Sequence, residues 1–406
     1  MPKIVKVRPV LLSAPYAQDN DFEVLIHLKS GMRTCGLVEI TLEDGTTGLG
    51  EGYIAVFAPY VFVEFVKLME AVLIGKEAFD TIARYNDCCN ISNYFSFQGA
   101  ARHVIGACEI ALLDAKAKVL GIPVYSLFGG KTADSLEVYG STDCGLDPQY
   151  IINQINMLAE KGIDILKIRA RKNQVKMTSW VMKQAQALGI KIAVDMGQNL
   201  DIPAQTISDV VQYVRQVHER AETRIFFLEE VLGPMDVSNY PLLKNKIEPK
   251  ICGGEIITTS FEFYDRIERN IYDFVQPDAT VVGGIAEALK VCSCARLHGS
   301  DAVVHCWGGG VGLMANYHVA YAAGCKMAEL PLKKDPLRTE LIVEPLCIKK
   351  GKLYLSSASG LGVCLTKEIE TKYTFKEEAV YKCTSDRSII PNDNNWNEDI
   401  WRINRG

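Results

Sequence analysis

Six short apolar runs in the second half of this chain carry a charged or polar residue at or just after their end, and they recur at a nearly even spacing. The runs are ILKIRA, IKIAVD, IFFLEE, KICGGE, DFVQPD and DAVVHC. From Lys167 the next such residue is Asp195 after 28 residues, then Glu229 after 34, Glu255 after 26, Asp278 after 23 and His305 after 27. Each interval has the length of one strand, one helix and their connections. Between the runs lie segments with helical spacing, such as QYIINQINMLAEKG and PAQTISDVVQYVRQVHE. Strand–helix alternation over this many units predicts a parallel sheet closed into a (β/α) barrel, with the charged residues at the carboxyl ends of its strands, where barrel enzymes carry their chemistry. Lys167 and Arg169 stand two apart on one strand, so both face the mouth.

The rest of the chain predicts what accompanies the barrel. At 406 residues it is long enough for a second, smaller unit. Residues 3–12, 22–29 and 35–42 alternate apolar and polar as strands do, and TLEDGTTGLGEG carries an Asp44-Gly45 hairpin signal. From about 60 to 130 the period is helical, and GIPVYSLFGG closes that stretch. Near 340 strand and turn signals return, followed by the polar tail CTSDRSIIPNDNNWNEDIWRINRG. The expected organisation is an α+β unit over 1–132, a barrel over 133–338, and a C-terminal segment over 339–406 that returns to the first unit.

Three carboxylates on adjacent strands, Asp195, Glu229 and Glu255, would repel one another unless a cation joined them. All-oxygen ligation without thiolate or imidazole suits a hard ion that keeps positions open for water or substrate, so magnesium is the expected cofactor, one ion per site. A single strand-end acid is ordinarily a solvated charge; three in consecutive units, between a basic pair and an acid–histidine pair, are not. Cations aimed at a substrate carboxylate stabilise the enediolate left when the neighbouring proton is removed. His305 suits the base, with Asp278 one strand earlier to orient it. His27, His103, His218, His298 and His318 lack such company and read as structural.

These segments resemble the enolase superfamily in its mandelate racemase subgroup, along nearly the whole chain. EITLEDGTTGLGEG is similar to the family's capping hairpin, and GACEIALLDAKAKVLGIPVYSLFGG to its lead into the barrel. LKIRA, AVDMGQN, FFLEE, CGGE, VQPD and VVHCWG resemble the active-site strand ends, and SGLGV the return to the cap. The resemblance implies a modified TIM barrel of (β/α)7β type with an N-terminal α+β capping domain completed by the C-terminal segment. It implies that Asp195, Glu229 and Glu255 bind magnesium, that Lys167 holds the substrate carboxylate, and that Asp278 and His305 form the acid/base dyad. Glu329, in KMAELP, resembles the acid that hydrogen-bonds the enediolate. Specificity is expected from the loops Tyr16–Asp21 and Tyr53–Tyr60, and HCWGGGVGL, with Trp307, is similar to that of sugar-acid members.

Three departures bear on the reaction. The second basic position, usually a lysine base, is Arg169, and a guanidinium stays protonated. Gly197 stands where many members have a substrate-binding asparagine, a place that Gln198 or Asn199 takes here. The family's EEP is EEV, with Val231. A single base favours dehydration of an aldonate, uronate or aldarate to a 2-keto-3-deoxy acid, with cycloisomerisation as the alternative and epimerisation or racemisation disfavoured by Arg169. Muconate-type and dipeptide-epimerase readings call for lysines where Arg169 and His305 stand. A non-catalytic binding protein on the same scaffold is the remaining alternative.

A net charge of −5 offers no basic patch for nucleic acid, and no apolar run approaches the ~20 residues that span a bilayer. The opening MPKIVKVRPVLL reads as a strand and not as a signal peptide. Thirteen cysteines without metal spacing read as free thiols of a reducing cytoplasm. The expected partners are a small carboxylate substrate and further copies of the chain, with neither nucleic acid nor membrane.

Overall fold

The computed structural model describes residues 1–16, 22–142, 148–200, 203–383, 392–394 and 396. The chain opens with an antiparallel meander of β1 (Ile4–Pro15), β2 (Met32–Leu42) and β3 (Thr47–Glu51), in the order β1-β2-β3. The Asp44-Gly45 turn joins β2 to β3, with Asp44 Oδ1 accepting from Thr46 N at 2.9 Å. One expectation is corrected here: residues 22–29 contain a short helix, α1 (Phe22–Ile26), not a strand. Glu23, Val24, Ile26, His27 and Leu28 are all buried, so the helix sits as a plug in the chain's interior. Two-residue alternation over so short a window does not distinguish such a plug from a half-buried strand.

Helices α2 (Pro59–Leu73), α3 (Thr81–Ser96) and α4 (Ala100–Leu120) follow. Phe62, Val66 and Met69 bury one face of α2 against Val38 and Ile40 of the sheet and Ile105 of α4. α4 is buried along most of its length between meander and barrel. The contact with β3 is so close that a Cβ on Gly50 would lie 1.8 Å from the Ala107 carbonyl oxygen, which is why GLGEG alternates glycine there.

The barrel then runs β4 (Leu136–Ser141), α5 (Pro148–Lys161), β5 (Ile165–Arg169), α6 (Val175–Gln186), β6 (Lys191–Asp195), α7 (Ile207–Ala221), β7 (Phe227–Glu229), α8 (Tyr240–Lys244), β8 (Lys250–Gly253), α9 (Ser260–Glu268), β9 (Phe274–Val275), α10 (Ile285–Leu297), β10 (Asp301–Ala302), α11 (Gly310–Ala323) and β11 (Met327–Pro331). Strands β4 to β10 pair in sequence order and β11 comes round to β4 in parallel, which is the expected (β/α)7β arrangement. Tyr139, Ala193, Phe227, Cys252, Phe274, Val303 and Met327 fill its interior. The hairpin β12 (Cys347–Lys349) and β13 (Lys352–Tyr354) adds to the amino end of β4. Among the described residues, no helix is long and apolar enough to cross a membrane. Cys108, Cys252 and Cys325 are free and buried as expected, whereas the free Cys364 is exposed.

Buried acids tie the meander and α4 to the barrel. Glu51 accepts from Gly309 N at 2.6 Å and Gly312 N at 2.8 Å, at the start of α11. Glu109 accepts from Ile285 N at 2.8 Å and Ala286 N at 3.0 Å, at the start of α10. Neither helix has a side-chain cap of its own, so these carboxylates satisfy amides that would otherwise be orphaned and lie at the favourable pole of each helix. Asp114 accepts from Leu49 N at 2.9 Å and Leu361 N at 2.7 Å, fastening the C-terminal segment to the same seam. Farther on, Asp393 accepts from Val175 N at 3.1 Å and Lys176 N at 2.7 Å and so caps α6.

Candidate active site

Parallel register sets the first row of the mouth: Arg169 lies beside Asp195, and Asp195 beside Glu229. Arg169 donates to Asp195 Oδ2 through Nε at 3.1 Å and Nη2 at 2.8 Å. Lys167 is buried between two acids, its Nζ 2.5 Å from Glu229 Oε1 and 2.9 Å from Glu329 Oε1. Glu229 Oε2 accepts from Gln276 Nε2 at 2.6 Å. Asn199 Nδ2 donates to Glu255 Oε1 at 2.7 Å. Burial pushes the Glu229 carboxyl up to about 8, with Asp195, Glu329 and Glu255 adding to the rise and the Lys167 ammonium opposing it.

Asp278 and His305 meet as a buried pair: His305 Nδ1 donates to Asp278 Oδ2 at 2.9 Å. The other oxygen of Asp278 accepts from Thr280 N at 2.8 Å, Thr280 Oγ1 at 2.7 Å and Asn316 Nδ2 at 2.8 Å. The carboxylate therefore cannot swing, and whenever the ring is neutral it keeps the proton on Nδ1 and directs the Nε2 lone pair away from Asp278. Burial works against a charged imidazole, but Glu255, the Asp278 bond and Glu329 outweigh it and lift His305 to about 10. Nε2 lies 3.4 Å from Glu255 Oε2.

Above this pair is a cavity of about 290 Å³ whose walls include Tyr53, Phe57, Asn199, Glu255, His305 and Trp307. Tyr53 and Phe57 come from one of the two loops expected to set specificity. From the other, Tyr16 lines the inner mouth, while 17–21 lie outside the described residues. Of the two candidates for the missing asparagine, Asn199 reaches the mouth. Gln198 is spent on the chain, donating to Met196 O at 3.0 Å and accepting from Gln205 N at 2.6 Å.

Three participants escaped the sequence reading. Gln276 sits in the VQPD segment two residues before Asp278, and its contact with Glu229 follows from that same strand end. Glu230, in the left-handed region at φ 45°, accepts from Gly254 N at 2.7 Å and so shapes the loop that presents Glu255. His103, expected to be structural, lines the cavity from α4. His27, His218, His298 and His318 do bond to the backbone. The reason for the exception is steric: a Cβ on Gly106 would stand 2.8 Å from Gly284 N and 3.0 Å from Ala279 O. The 103/106 stripe of α4 therefore rests on the loop after Asp278, and the residue one turn earlier is delivered to the mouth.

Among the described residues, no three acidic, histidine or cysteine side chains are drawn up around one point as a finished metal site. The carboxylates of Asp195, Glu229 and Glu255 are instead engaged by Arg169, Lys167, Gln276 and Asn199. The donor set nevertheless fits a hard divalent cation: all oxygen, buried, on consecutive strands, and crowded enough to lift Glu229.

Residues 26–129 match the family model of the mandelate racemase / muconate lactonizing enzyme N-terminal domain, and residues 151–369 match the enolase C-terminal domain-like model. Arabinonate dehydratase of Saccharolobus solfataricus is 24% identical over 344 residues, spanning 83% of this chain and 90% of that enzyme. The structure of 3,6-anhydro-D-galactonate cycloisomerase from Zobellia galactanivorans superposes with a TM-score of 0.80 at 23% identity, covering 92% of this chain and 100% of that one. A mandelate racemase/muconate lactonizing protein from Paracoccus denitrificans PD1222, complexed with magnesium, gives a TM-score of 0.76 at 22% identity over 92% and 98% of the two chains.

Proposed function

The chain is an enzyme of the enolase superfamily, in its mandelate racemase subgroup, and on that premise we propose that it dehydrates a sugar acid to a 2-keto-3-deoxy acid. The observation that carries the proposal is the one imidazole of the mouth that a carboxylate orients, His305 on Asp278, with the cations Lys167 and Arg169 both committed to acids. The names of relatives such as arabinonate dehydratase support the substrate class.

Asp195, Glu229 and Glu255 would hold magnesium, which when bound supplies positive charge to the substrate carboxylate as its neighbouring proton leaves. Lys167, kept charged by Glu229 and Glu329, adds a cation for the same oxygens. With a cation held by Glu255, the charge that most favours the imidazolium is cancelled, so that His305 is neutral. It takes the proton at C2 through Nε2, while Asp278 stabilises the imidazolium so formed without taking the proton itself. The C3–O bond then breaks, the electron pair from C2 forms the C2–C3 double bond, and His305 returns its proton to the departing hydroxyl, which leaves as water. The enol product becomes the 2-keto acid in solution.

Ring opening of an internal ether, a cycloisomerase reaction, shares the first proton transfer and is the second reading. It is favoured by the structural likeness to the Zobellia galactanivorans enzyme. The test is to incubate the magnesium-loaded protein with aldonic, uronic, aldaric and anhydro acids in deuterated water and follow products by NMR. A 2-keto-3-deoxy acid is expected. Inversion at C2 without loss of water would refute the proposal, and ring opening without loss of water would give the second reading.

A further inference from the structure

The cavity above the dyad is walled mostly by rings and aliphatic groups. Tyr53, Ile54, Phe57, Val281, Trp307 and Tyr381 line it. The ring centroids of Tyr53 and Trp307 are 5.2 Å apart, those of Phe57 and Tyr381 5.1 Å, and Phe57 stacks on Trp307 at 6.1 Å and 16°. Trp307 is not free to turn aside. The buried Arg33 guanidinium lies 3.5 Å from its ring centroid, and Arg338 donates to the Trp307 carbonyl at 2.7 Å. This wall exists before any ligand arrives, so it selects ligands and does not adapt to them.

Charge and polarity complete the pattern. The full charges lining this cavity, His305 apart, are Arg169, Glu23 and Glu255; Arg169 is bonded to Asp195, and Glu23 to Lys333. A second carboxylate in this cavity would meet two acids and, among the lining residues, no uncommitted cation. The polar contribution of α4 is His103, whose Nδ1 is buried with no hydrogen-bond partner. Its ring lies 6.0 Å from that of Tyr53, against 6.3 Å from Tyr53 to His305, so both imidazoles neighbour the Tyr53 ring. Burial holds His103 down to about 4, which leaves a neutral ring whose unpartnered Nδ1, donor or acceptor according to tautomer, can pair with one hydroxyl.

We propose that the substrate is a monocarboxylic sugar acid whose distal half presents an apolar face, a terminal methyl or a closed ring, and whose one cap-side hydroxyl is bound by His103. The inference rests on reading the mouth as a sugar-acid site, and it narrows that class. A fully hydroxylated open chain would set more hydroxyls against this wall than the Tyr53 hydroxyl, the Trp307 indole N–H and His103 can partner, each unmatched one losing about tenfold in affinity. A methyl or the C–H face of a ring loses nothing there and gains stacking against Trp307.

Binding separates this inference from the reaction. His305→Asn protein with magnesium keeps ligands unreacted. Calorimetry would compare an aldonate, its 6-deoxy analogue, its 3,6-anhydro analogue and the matching aldarate, for each configuration at C2 and C3. In the best configuration the 6-deoxy or anhydro acid should bind at least ~10-fold tighter than the parent and at least ~100-fold tighter than the aldarate; the two arms tell methyl from ring. An aldarate or full aldonate binding as tightly would overturn the inference. Binding in the expected order by acids that wild-type enzyme does not dehydrate would leave it standing and sink the proposed reaction, and no binding at all would sink both. In the same background, adding His103→Leu should weaken the preferred acid ~10-fold while leaving one of its 4-deoxy and 5-deoxy analogues unchanged. An equal loss for all of them would reduce His103 to a structural role and overturn its part.

Discussion

Replacing Asp278 by asparagine changes one atom and, by the geometry of the dyad, the tautomer of the base. Three donors converge on Oδ1, from Thr280 N, Thr280 Oγ1 and Asn316 Nδ2. The oxygen of the new amide must stay with them, because turning it away would face an NH2 against three buried donors at ~1–3 kcal/mol each. The amide nitrogen therefore takes the Oδ2 position, 2.9 Å from His305 Nδ1. To accept its hydrogen bond, Nδ1 must give up its proton, which moves to Nε2, where the base needs a lone pair. Restoring the productive tautomer sets N–H against N–H at ~1–3 kcal/mol, and the charge-assisted bond worth ~1.5–3 kcal/mol is gone in any case. The sum of roughly 3–6 kcal/mol corresponds to a loss of ~10²–10⁴ in proton abstraction, within the range a general base supplies. The assay is loss of the C2 proton of any acid that the wild type turns over, followed by NMR in deuterated water with saturating magnesium. Exchange in Asp278→Asn within threefold of wild type, with the fold intact, would refute the reasoning.

Chelation should abolish turnover, added magnesium should restore it, and magnesium should raise the melting temperature of the wild type but not of Glu229→Gln. Turnover persisting in chelator, or an unchanged magnesium shift in the variant, would place the cation elsewhere or remove it from the account. Glu51→Ala orphans the amides of Gly309 and Gly312, so at ~1–3 kcal/mol per buried donor it should cost roughly 2–6 kcal/mol in chemical denaturation. A midpoint equal to that of wild type would show that water or a chain shift satisfies those amides.

The parts of the molecule legible in the sequence were those for which periodicity and chemistry make the same demand. Strand ends of a barrel must point their last residues at the mouth, so Lys167, Asp195, Glu229 and His305 announce both fold and site. The short helix at Phe22–Ile26 was lost because a five-residue plug has no period to measure. The seam was lost for a different reason. Glu51, Glu109 and Asp114 bind backbone amides of segments up to 261 residues away, and nothing local marks a buried acid as the acceptor for so distant a segment. His103 had a weak signal in hindsight. Gly106 within the α4 segment GACEIALLDAK marks a close approach, and one turn back along that stripe is the histidine.

The asymmetry of the mouth is what joins site to reaction. Epimerisation needs an acceptor on one face of C2 and a donor on the other, exchanging roles in the two directions. Opposite His305 the candidates are Lys167 and Arg169. Lys167 lies between Glu229 and Glu329, and both carboxylates, against the cost of burial, hold its ammonium well above the usual lysine range. Arg169 forks onto Asp195 and has no accessible neutral form. Neither can cycle a proton at neutral pH, so both act as fixed positive charge. Elimination asks for no second base: one imidazole removes the C2 proton and then protonates a hydroxyl leaving from the same face. On the proposed reading, a strand that carries Arg169 where a second base would stand supports loss of the proton and not reversal of configuration.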